Sequence, residues 1–369
     1  MKRQSFKYIF VINLLFLTFV TAAMFLYKTD NTSKNAVPVS ISTPLVNSKA
    51  LSVDFCQSAK SAVIIDSKSG AVLFEKNAHE KLPMASTTKI MTALAVIDKV
   101  NPDDLIEITK HSAGIEGSSI YLKEGEKLTA KDLLYGLLLE SGNDAAVALA
   151  VGVFGSEKEC VKYMNQKAHS IGLVSTSFSN VHGLDDENHY TTAYELSLIT
   201  KEAMKNELFR NIVSTKNHTT SGENSRYFSN HNRLLSMSVS AIGVKTGYTS
   251  KAGRCLVSCA QIENEEYIAV TLCDRLDWQD HKAMLSFAFD NFEGYQIAEK
   301  DSFALRVGFE DYLPADDVYI TAYGNNSFNI NYKVSIKNGI GKVEYSTDNA
   351  PLGTFGILKN DHGLVVESN

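Results

Sequence analysis

The sequence predicts an α+β protein in which an antiparallel sheet flanked by helices is followed by a small all-β domain. Two observations carry this prediction. Strand-like runs occur near residues 63–74 and again at 241–272, on either side of a helical middle at about 129–210, so one sheet can be built from both ends of this region. After about residue 300 only short strand-like runs follow, at 303–307, 318–321 and 328–332.

The N-terminal 28 residues are predicted to direct export of the chain. Three basic residues within the first seven precede an uncharged, mostly apolar run at 8–27, which is the pattern of a signal peptide or of a membrane anchor. Small residues at 21–23 would allow cleavage, whereas the apolar run continues beyond them, and we favour the retained anchor for that reason. Residues 29–55 are then expected to form a flexible linker.

The length of 369 residues leaves room for two folded units after this segment, which we place at 56–297 and 298–369. The formal net charge is −6 and no basic stripe offsets it, so composition gives no support for a nucleic-acid partner. The five cysteines are odd in number and include no Cys-x-x-Cys pair. We therefore expect buried free thiols rather than a disulfide framework or a zinc site.

The first half of the chain shows clear local signals. The runs 63–66 and 71–74 flank a short Gly-containing turn and predict a β-hairpin. Thr129 is the expected N-cap of a helix that ends near residue 140, and Asp144 is expected to cap the helix at 145–153.

The second half returns to strands. Three β-type runs at 241–246, 254–260 and 267–272 are separated by turn residues, and a helix at about 278–292 follows them. The early hairpin is expected to close against these three strands in a single sheet.

The run 86–89 (Ser-Thr-Thr-Lys) opens an apolar helical stretch and carries the first candidate chemistry. Residues three apart share a helix face, so Lys89 is expected to lie over the hydroxyl of Ser86. A hydroxyl is a poor nucleophile at neutral pH, and a Lys accepts its proton only where burial or a second cation keeps the amine neutral. Alone, this pattern also fits any helix with a Ser N-cap.

Two further motifs change the interpretation. Ser141 and Asn143 lie in a tight connection between two predicted helices, which restricts their side chains. Lys245, Thr246 and Gly247 follow in a predicted strand. The order Ser-x-x-Lys, Ser-x-Asn, Lys-Thr-Gly is the three-part signature of the penicillin-binding proteins and serine β-lactamases.

Over about residues 62–295 the sequence closely resembles the D-alanyl-D-alanine carboxypeptidases, the low-molecular-mass penicillin-binding proteins of serine peptidase family S11. The resemblance rests on the three motifs, their flanking residues and the His-Gly-Leu-Asp run at 182–185. It implies a β-lactamase/transpeptidase-like catalytic domain that uses no metal and no cofactor. Many members end in an amphipathic membrane helix, but residues 353–369 show no such pattern, so membrane attachment would depend on the N-terminal segment.

The resemblance implies a role for each residue of the first two motifs. Ser86 would attack the carbonyl between two D-alanines of a peptidoglycan stem peptide, and Lys89 would take its proton. Ser141 would relay a proton to the leaving amine, and Asn143 would bind the substrate amide. Backbone N–H groups of Ser86 and Tyr248 would bind the oxyanion.

The third motif would bind the end of the substrate. Lys245 and Thr246 would contact the terminal carboxylate, and the charge of Lys245 would help to keep Lys89 neutral. Gly247, which has no side chain, would let the substrate backbone approach the strand. Because β-lactams resemble acyl-D-Ala-D-Ala, they would acylate Ser86 and leave slowly, outside the cytoplasm.

Three other functions remain open at this point. A class A β-lactamase normally has Ser-Asp-Asn, where this chain has Ser-Gly-Asn, and uses a Glu that cannot be located here. A DD-endopeptidase uses the same motifs. A catalytically inactive cell-wall binding protein is disfavoured because all catalytic side chains are present. Outside the motifs, His182 is expected to pack a loop and Trp278 to pack a helix. Arg254 and Arg275 are candidates for shaping the cleft, without a specific role assigned to either.

Overall fold

The computed structural model describes residues 53–220, 225–237, 240–300, 305–307, 310–315, 317–323, 331–337, 340–346 and 351–359. The predicted export segment and almost all of the predicted linker therefore lie outside the described residues. Parts of two predicted C-terminal strands, at 303–304 and 328–330, and residues 360–369 also lie outside them.

The first part of the chain alternates strands with helices. Its elements are β1 (Ser61–Asp66), β2 (Val72–Lys76), a 3-10 helix (Ala85–Thr88), α1 (Lys89–Ile97), β3 (Leu105–Glu107), β4 (Lys127–Thr129), α2 (Ala130–Leu138), α3 (Asn143–Phe154), α4 (Glu157–Ser170), α5 (Ala193–Met204) and α6 (Glu207–Ser214). They continue with β5 (Asn217–Thr219), β6 (Tyr227–Ser229), α7 (Leu234–Met237), β7 (Ala241–Thr249), β8 (Gly253–Ile262), β9 (Glu265–Leu272) and α8 (Asp277–Asn291). The remaining elements are strands: β10 (Phe292–Ala298), β11 (Leu305–Val307), β12 (Glu310–Pro314), β13 (Val318–Tyr323), β14 (Asn331–Lys337), β15 (Ile340–Ser346) and β16 (Pro351–Lys359).

A five-stranded sheet in the order β2-β1-β9-β8-β7 forms the centre of the first part. All of its strand pairs are antiparallel, and the early hairpin closes against the three late strands, as predicted. Every residue of β1 is buried because both faces of the strand are covered. Val63 and Ile65 belong to the large helical core, whereas Ala62 and Ile64 belong to a second core that includes residues of α8.

Strand β7 lies at one edge of this sheet, and the 3-10 helix packs against it. An edge strand leaves alternate backbone N–H and C=O groups unpaired with its neighbour, so it can present them to another chain segment. The edge therefore faces the turn that carries Ser86.

The helix starts confirm one capping prediction and correct another. Thr129 caps α2 by accepting a hydrogen bond from Asp132 N. The prediction that Asp144 caps the next helix was wrong, because α3 begins at Asn143 with Gly142 as its N-cap. The buried Asp144 carboxylate instead accepts hydrogen bonds from three donors of the loop at 119–122, which are the Ser119 hydroxyl and the N–H groups of Ile120 and Leu122.

The C-terminal strands form two sheets, β10-β13 and β11-β12-β16-β15-β14. They contact the first part at the turn between β1 and β2, where Ser69 Oγ lies 2.6 Å from Thr321 Oγ1 and Lys68 lies over the ring of Tyr319. Strand β10 begins at Phe292 and pairs with β13, before the predicted domain boundary at 298, which stays a prediction. Among the helices that the structure describes, none is both long and apolar enough to cross a bilayer.

All five cysteines are free thiols, and four of them are buried. Cys255 lies in β8 close to the cleft described below. Burial raises the pKa of its thiol to about 12, so the reactive thiolate is scarce at neutral pH.

Candidate active site

Ser86 lies on the short 3-10 helix, directly before α1, rather than within the α-helix that the sequence suggested. The preceding residue, Ala85, has a left-handed backbone with φ of +48°, a conformation that L-residues adopt only when their surroundings hold them there. Ser86 is half-buried, whereas Lys89 is fully buried as the first residue of α1. The predicted pair is present, with Lys89 Nζ 2.9 Å from Ser86 Oγ.

Lys89 has three hydrogen-bond partners. Besides Ser86 Oγ, its Nζ contacts Asn143 Oδ1 at 2.7 Å and the carbonyl oxygen of His182 at 2.6 Å. These last two oxygens can only accept, so a neutral amine donates its two hydrogens to them and turns its lone pair to the Ser86 hydroxyl. Burial, and next the charge of Lys245, hold the pKa of Lys89 well below its usual value, although Asp144 opposes them.

The second motif lies beside this pair. Ser141 has a positive φ of +63°, and its buried Oγ finds no hydrogen-bond partner among the described residues. Asn143 holds Lys89 through its carbonyl oxygen, while its Nδ2 donates to the backbone oxygen of Glu116 at 2.5 Å. The Asn143 carboxamide is therefore fixed by two partners, and one of them is the candidate base.

The third motif occupies the edge strand β7. Lys245 is only 1% exposed, and within the described ranges its Nζ makes one hydrogen bond, to Thr246 O at 3.0 Å. Burial lowers the pKa of Lys245 to about 7. Thr246 is half-buried, and Tyr248 is 67% exposed. When it is protonated, a lysine buried with so few partners favours an anion beside it, and an anion would in turn favour the protonated form.

The structure shows a further reason why a glycine occupies position 247, which the sequence did not reveal. A Cβ at this position would lie 3.0 Å from Ser86 N and 3.1 Å from Thr87 N. The glycine therefore lets the edge strand approach the nucleophile turn itself, in addition to any space that it leaves for a substrate backbone.

A cleft of about 330 Å³ opens over these residues. Its lining includes the predicted residues Ser86, Ser141, Thr246, Gly247 and Tyr248, whereas Lys89, Asn143 and Lys245 lie behind the lining. Sequence reasoning missed Ser118, His231, Arg233 and Asp277 in the rest of the wall, which also includes Trp278 and Arg254, a candidate for shaping the cleft. In the described part of the chain, no group of three or more His, Cys, Asp or Glu side chains is arranged to hold a metal ion.

Trp278 lines the cleft rather than only packing its helix. The guanidinium of Arg254 lies 5.9 Å from the centre of the Trp278 ring and makes two hydrogen bonds to the Asp277 carboxylate. The sequence alone does not indicate that an Arg or a Trp lines a cleft, because the positions of these two side chains depend on how α8 packs against β8.

The His-Gly-Leu-Asp segment at 182–185 packs directly against the turn that carries Ser86. The carbonyl of His182 accepts from Lys89, and Asp185 accepts a hydrogen bond from Thr249 at the end of β7. Gly183, at φ +94°, lies so close to Ala85 that a Cβ would be 2.0 Å from the Ala85 oxygen. The predicted packing role of this loop thus includes contact with the site.

We expect Gly183→Ala to lower the free energy of unfolding by about 3 kcal/mol or more, because it adds a steric overlap with the Ala85 carbonyl to the cost of a positive φ. Gly172→Ala is the matched control, since Gly172 has a similar φ of +84° with nothing within 4 Å of its Cβ position. That control is expected to cost about 1 kcal/mol. Urea unfolding midpoints measure both, and equal losses would contradict the close approach at Gly183.

The fold and the site together define a serine-type hydrolase in which a serine and a buried lysine face a strand edge. A family model described as D-alanyl-D-alanine carboxypeptidase, of peptidase family S11, matches residues 48–275. The chain belongs to this D-alanyl-D-alanine carboxypeptidase family, which confirms the predicted family and class of enzyme.

Individual proteins with similar sequences support this family assignment. The D-alanyl-D-alanine carboxypeptidase DacF of Bacillus subtilis is 33% identical over 333 residues, which is 85% of each chain. DacC of Escherichia coli is 35% identical over 250 residues, 64% of this chain and 62% of that protein.

Solved structures confirm the predicted fold class. Penicillin-binding protein 5 of Haemophilus influenzae superposes with a TM-score of 0.73 at 28% identity, covering 84% of this chain and 98% of that one. A mutant of a Streptomyces DD-transpeptidase superposes with a TM-score of 0.61 at 32% identity, covering 63% of this chain and 98% of that one.

Proposed function

We propose that this protein is a serine D-Ala-D-Ala carboxypeptidase that removes the terminal D-alanine from peptidoglycan stem peptides through an acyl-enzyme on Ser86. The observation that carries the proposal is the environment of Lys89. Two obligate acceptors take the hydrogens of a neutral amine, which leaves its lone pair for the Ser86 hydroxyl. Family membership supports the substrate class.

Acylation begins when the Ser86 hydroxyl gives its proton to Lys89 and its oxygen attacks the carbonyl carbon between the two D-alanines. The negative charge then develops on the carbonyl oxygen, for which the N–H groups of Ser86 and Tyr248 are the donors. The N–H of Ser86 has no acceptor among the described residues, which leaves it free for this role. Gly247 brings the edge strand, and with it Tyr248, against the Ser86 turn.

Collapse of this intermediate breaks the peptide bond, and the departing amine needs a proton. Ser141 suits the relay because its Oγ lines the cleft and has no hydrogen-bond partner within the described ranges. Lys89, now protonated, is the source of that proton. A water molecule then attacks the acyl-enzyme by the reverse sequence of proton transfers and releases the shortened peptide.

The free carboxylate of the substrate fits the third motif. Lys245 is a buried cation with one hydrogen bond, so a carboxylate beside it, with the Thr246 hydroxyl, supplies the missing partners. β-Lactams carry a similar carboxylate next to a reactive amide, and we expect them to acylate Ser86 and dissociate slowly. The same residues would therefore make the protein penicillin-binding.

The place of action follows from the substrate, which lies outside the cytoplasm. The proposal includes an export segment at 1–28 that also attaches the protein to the membrane, a linker at 29–55, a catalytic domain at 56–297 and a β-rich domain at 298–369. The similarity to penicillin-binding protein 5 extends over 84% of this chain, which supports a C-terminal domain beyond the catalytic one.

The test is product analysis with the full chain in detergent. We expect release of free D-alanine from a stem pentapeptide, and about 30- to 100-fold slower release when its terminal carboxylate is amidated, because Lys245 loses a charged hydrogen-bond partner. Benzylpenicillin should block the reaction and add one stable acyl group to the protein.

Other outcomes identify the alternatives. Cleavage of a cross-linked dimer without release from the pentapeptide would make the protein a DD-endopeptidase. An adduct without any cleavage would indicate a binding protein. Rapid loss of penicillin without a stable adduct would indicate a β-lactamase.

A further inference from the structure

His189 is a buried histidine that the mechanism above does not use. It follows the segment at 182–185 in the chain and, within the described ranges, its ring makes two hydrogen bonds. The backbone N–H of Ser179 donates to its Nδ1 at 3.1 Å, and its Nε2 lies 2.7 Å from the hydroxyl oxygen of Thr88. Thr88 is the last residue of the 3-10 helix that carries Ser86.

The contacts fix the tautomer of His189. Because a backbone N–H can only donate, Nδ1 must carry a lone pair, and the hydrogen of the neutral ring must then be on Nε2. Nε2 therefore donates to the Thr88 hydroxyl. This leaves the hydrogen of Thr88 free to be donated elsewhere, and the Ala85 carbonyl oxygen lies 2.8 Å away as its acceptor.

This chain of hydrogen bonds ends on the peptide group that joins Ala85 to Ser86. The group is planar and trans, so its C=O and its N–H point in opposite directions and cannot turn independently. Holding the Ala85 carbonyl therefore also aims the N–H of Ser86. The same carbonyl faces Gly183 from another side, and Ala85 has the strained φ of +48° that needs such support.

We propose that His189 is a positioning residue, which acts through Thr88 to hold the Ala85 carbonyl and thereby aims the Ser86 N–H at the developing oxyanion. The inference rests on the proposed function, because it assigns that N–H to the oxyanion. His189 itself touches neither the substrate nor the nucleophile.

The surroundings of His189 keep its ring neutral. Burial is the main reason that its pKa falls to about 4, and the charge of Lys89 acts in the same direction, while the carboxylates of Asp185 and Asp186 oppose it. A neutral ring is what the donor and acceptor pattern requires. The hydrogen-bond chain is therefore intact throughout the neutral pH range.

The experiment compares two threonines of the same helical run in the full chain. Thr88→Val removes the hydroxyl that holds Ala85, with little change of shape. Thr92→Val is the matched control, because the hydroxyl of Thr92 is equally buried and donates to Val181 O at 2.7 Å. It also lies 3.5 Å from the Thr88 backbone oxygen, but it makes no hydrogen bond to the Thr88 hydroxyl or to the Ala85 carbonyl. His189→Ala and His189→Gln test the other end of the chain, since Gln retains an N–H donor.

We expect Thr88→Val and His189→Ala to slow acylation by benzylpenicillin by about 10- to 100-fold, less than the loss of a whole oxyanion donor. Thr92→Val should remain within about twofold of the wild type. His189→Gln should recover part of the rate that His189→Ala loses, and Thr88→Ser, which retains the hydroxyl, should act as the wild type. These two conservative variants keep the test valid where Thr88→Val or His189→Ala folds poorly.

A second measurement separates aiming from general structural damage. A peptide boronic acid that forms a tetrahedral adduct with the serine places an oxygen in the oxyanion position, whereas the product peptide does not. We expect Thr88→Val to weaken the boronate by the same factor as acylation and to leave product binding unchanged. Equal loss for both ligands, or equal loss in Thr88→Val and Thr92→Val, would overturn the proposal. Failure of the proposed function is distinct, since the wild type would then not release D-alanine from the pentapeptide, whatever the variants do to boronate binding.

Discussion

Ser86→Ala is expected to lose D-alanine release by about 10⁴-fold or more while the protein stays folded. The reason is that Ser86 Oγ is the one hydroxyl in contact with Lys89 Nζ among the described residues. Stability should change little, because Lys89 keeps Asn143 and the His182 carbonyl as partners and Ser86 is only half-buried. D-Alanine release from a pentapeptide and the intact mass after exposure to benzylpenicillin measure the two expected losses.

Ser250→Ala is the control for this variant, since Ser250 is exposed in the turn that follows β7 and is not among the residues that line the cleft. It should retain both the activity and the penicillin adduct. A covalent adduct that persists in Ser86→Ala would show that another hydroxyl reacts, and Ser141, which also lines the cleft, would then be the first candidate.

Lys89→Met is expected to slow acylation by about 10³- to 10⁴-fold, because it removes the proton acceptor. A Met side chain is similar in size to that of Lys, so the site should remain folded. It also leaves the buried Asn143 Oδ1 and His182 O without their donor, so the free energy of unfolding should fall by about 1–3 kcal/mol. Lys89→Arg should be equally inactive, since a guanidinium does not become neutral. Lys110→Met, an exposed lysine, controls for the loss of a positive charge.

The rate of acylation is expected to depend on pH through the protonation of Lys89. Acylation should increase with pH as Lys89 loses its proton, and the increase should be complete well below pH 10.5 because the pKa of Lys89 is lowered by burial and by Lys245. Lys245→Gln removes one of these causes, so its profile should move to higher pH. A profile that stays in place in Lys245→Gln, measured with an amidated substrate to avoid carboxylate binding, would contradict the coupling between the two lysines.

The sequence predicted those parts of the fold and the site that depend on local patterns. The strands of the central sheet, the Thr129 cap and the three motifs all have signals within a few residues. Their geometry has a different origin. The left-handed backbone of Ala85, for example, lies against the loop around Gly183, which is about 100 residues away in sequence.

The misplaced cap at Asp144 and the unnoticed His189 have the same physical cause. A carboxylate near a helix start predicts a cap, but the donors of the loop at 119–122 come from another part of the fold and bind it more completely. His189 in the sequence is one polar residue of a polar loop. Its contact with Thr88 joins residues 101 positions apart, which no local pattern encodes.

The strand order of the central sheet also limits how early during synthesis the catalytic part can fold. Ser61 at the start of β1 pairs with Leu272 at the end of β9, so the sheet is closed by its most distant partners. During synthesis, the early hairpin must wait with one edge open until about 190 residues have followed and β9 is reached. The serine emerges long before Tyr248, the proposed second oxyanion donor. A nascent chain is therefore inert towards both the cell wall and penicillin until its catalytic part has almost wholly emerged.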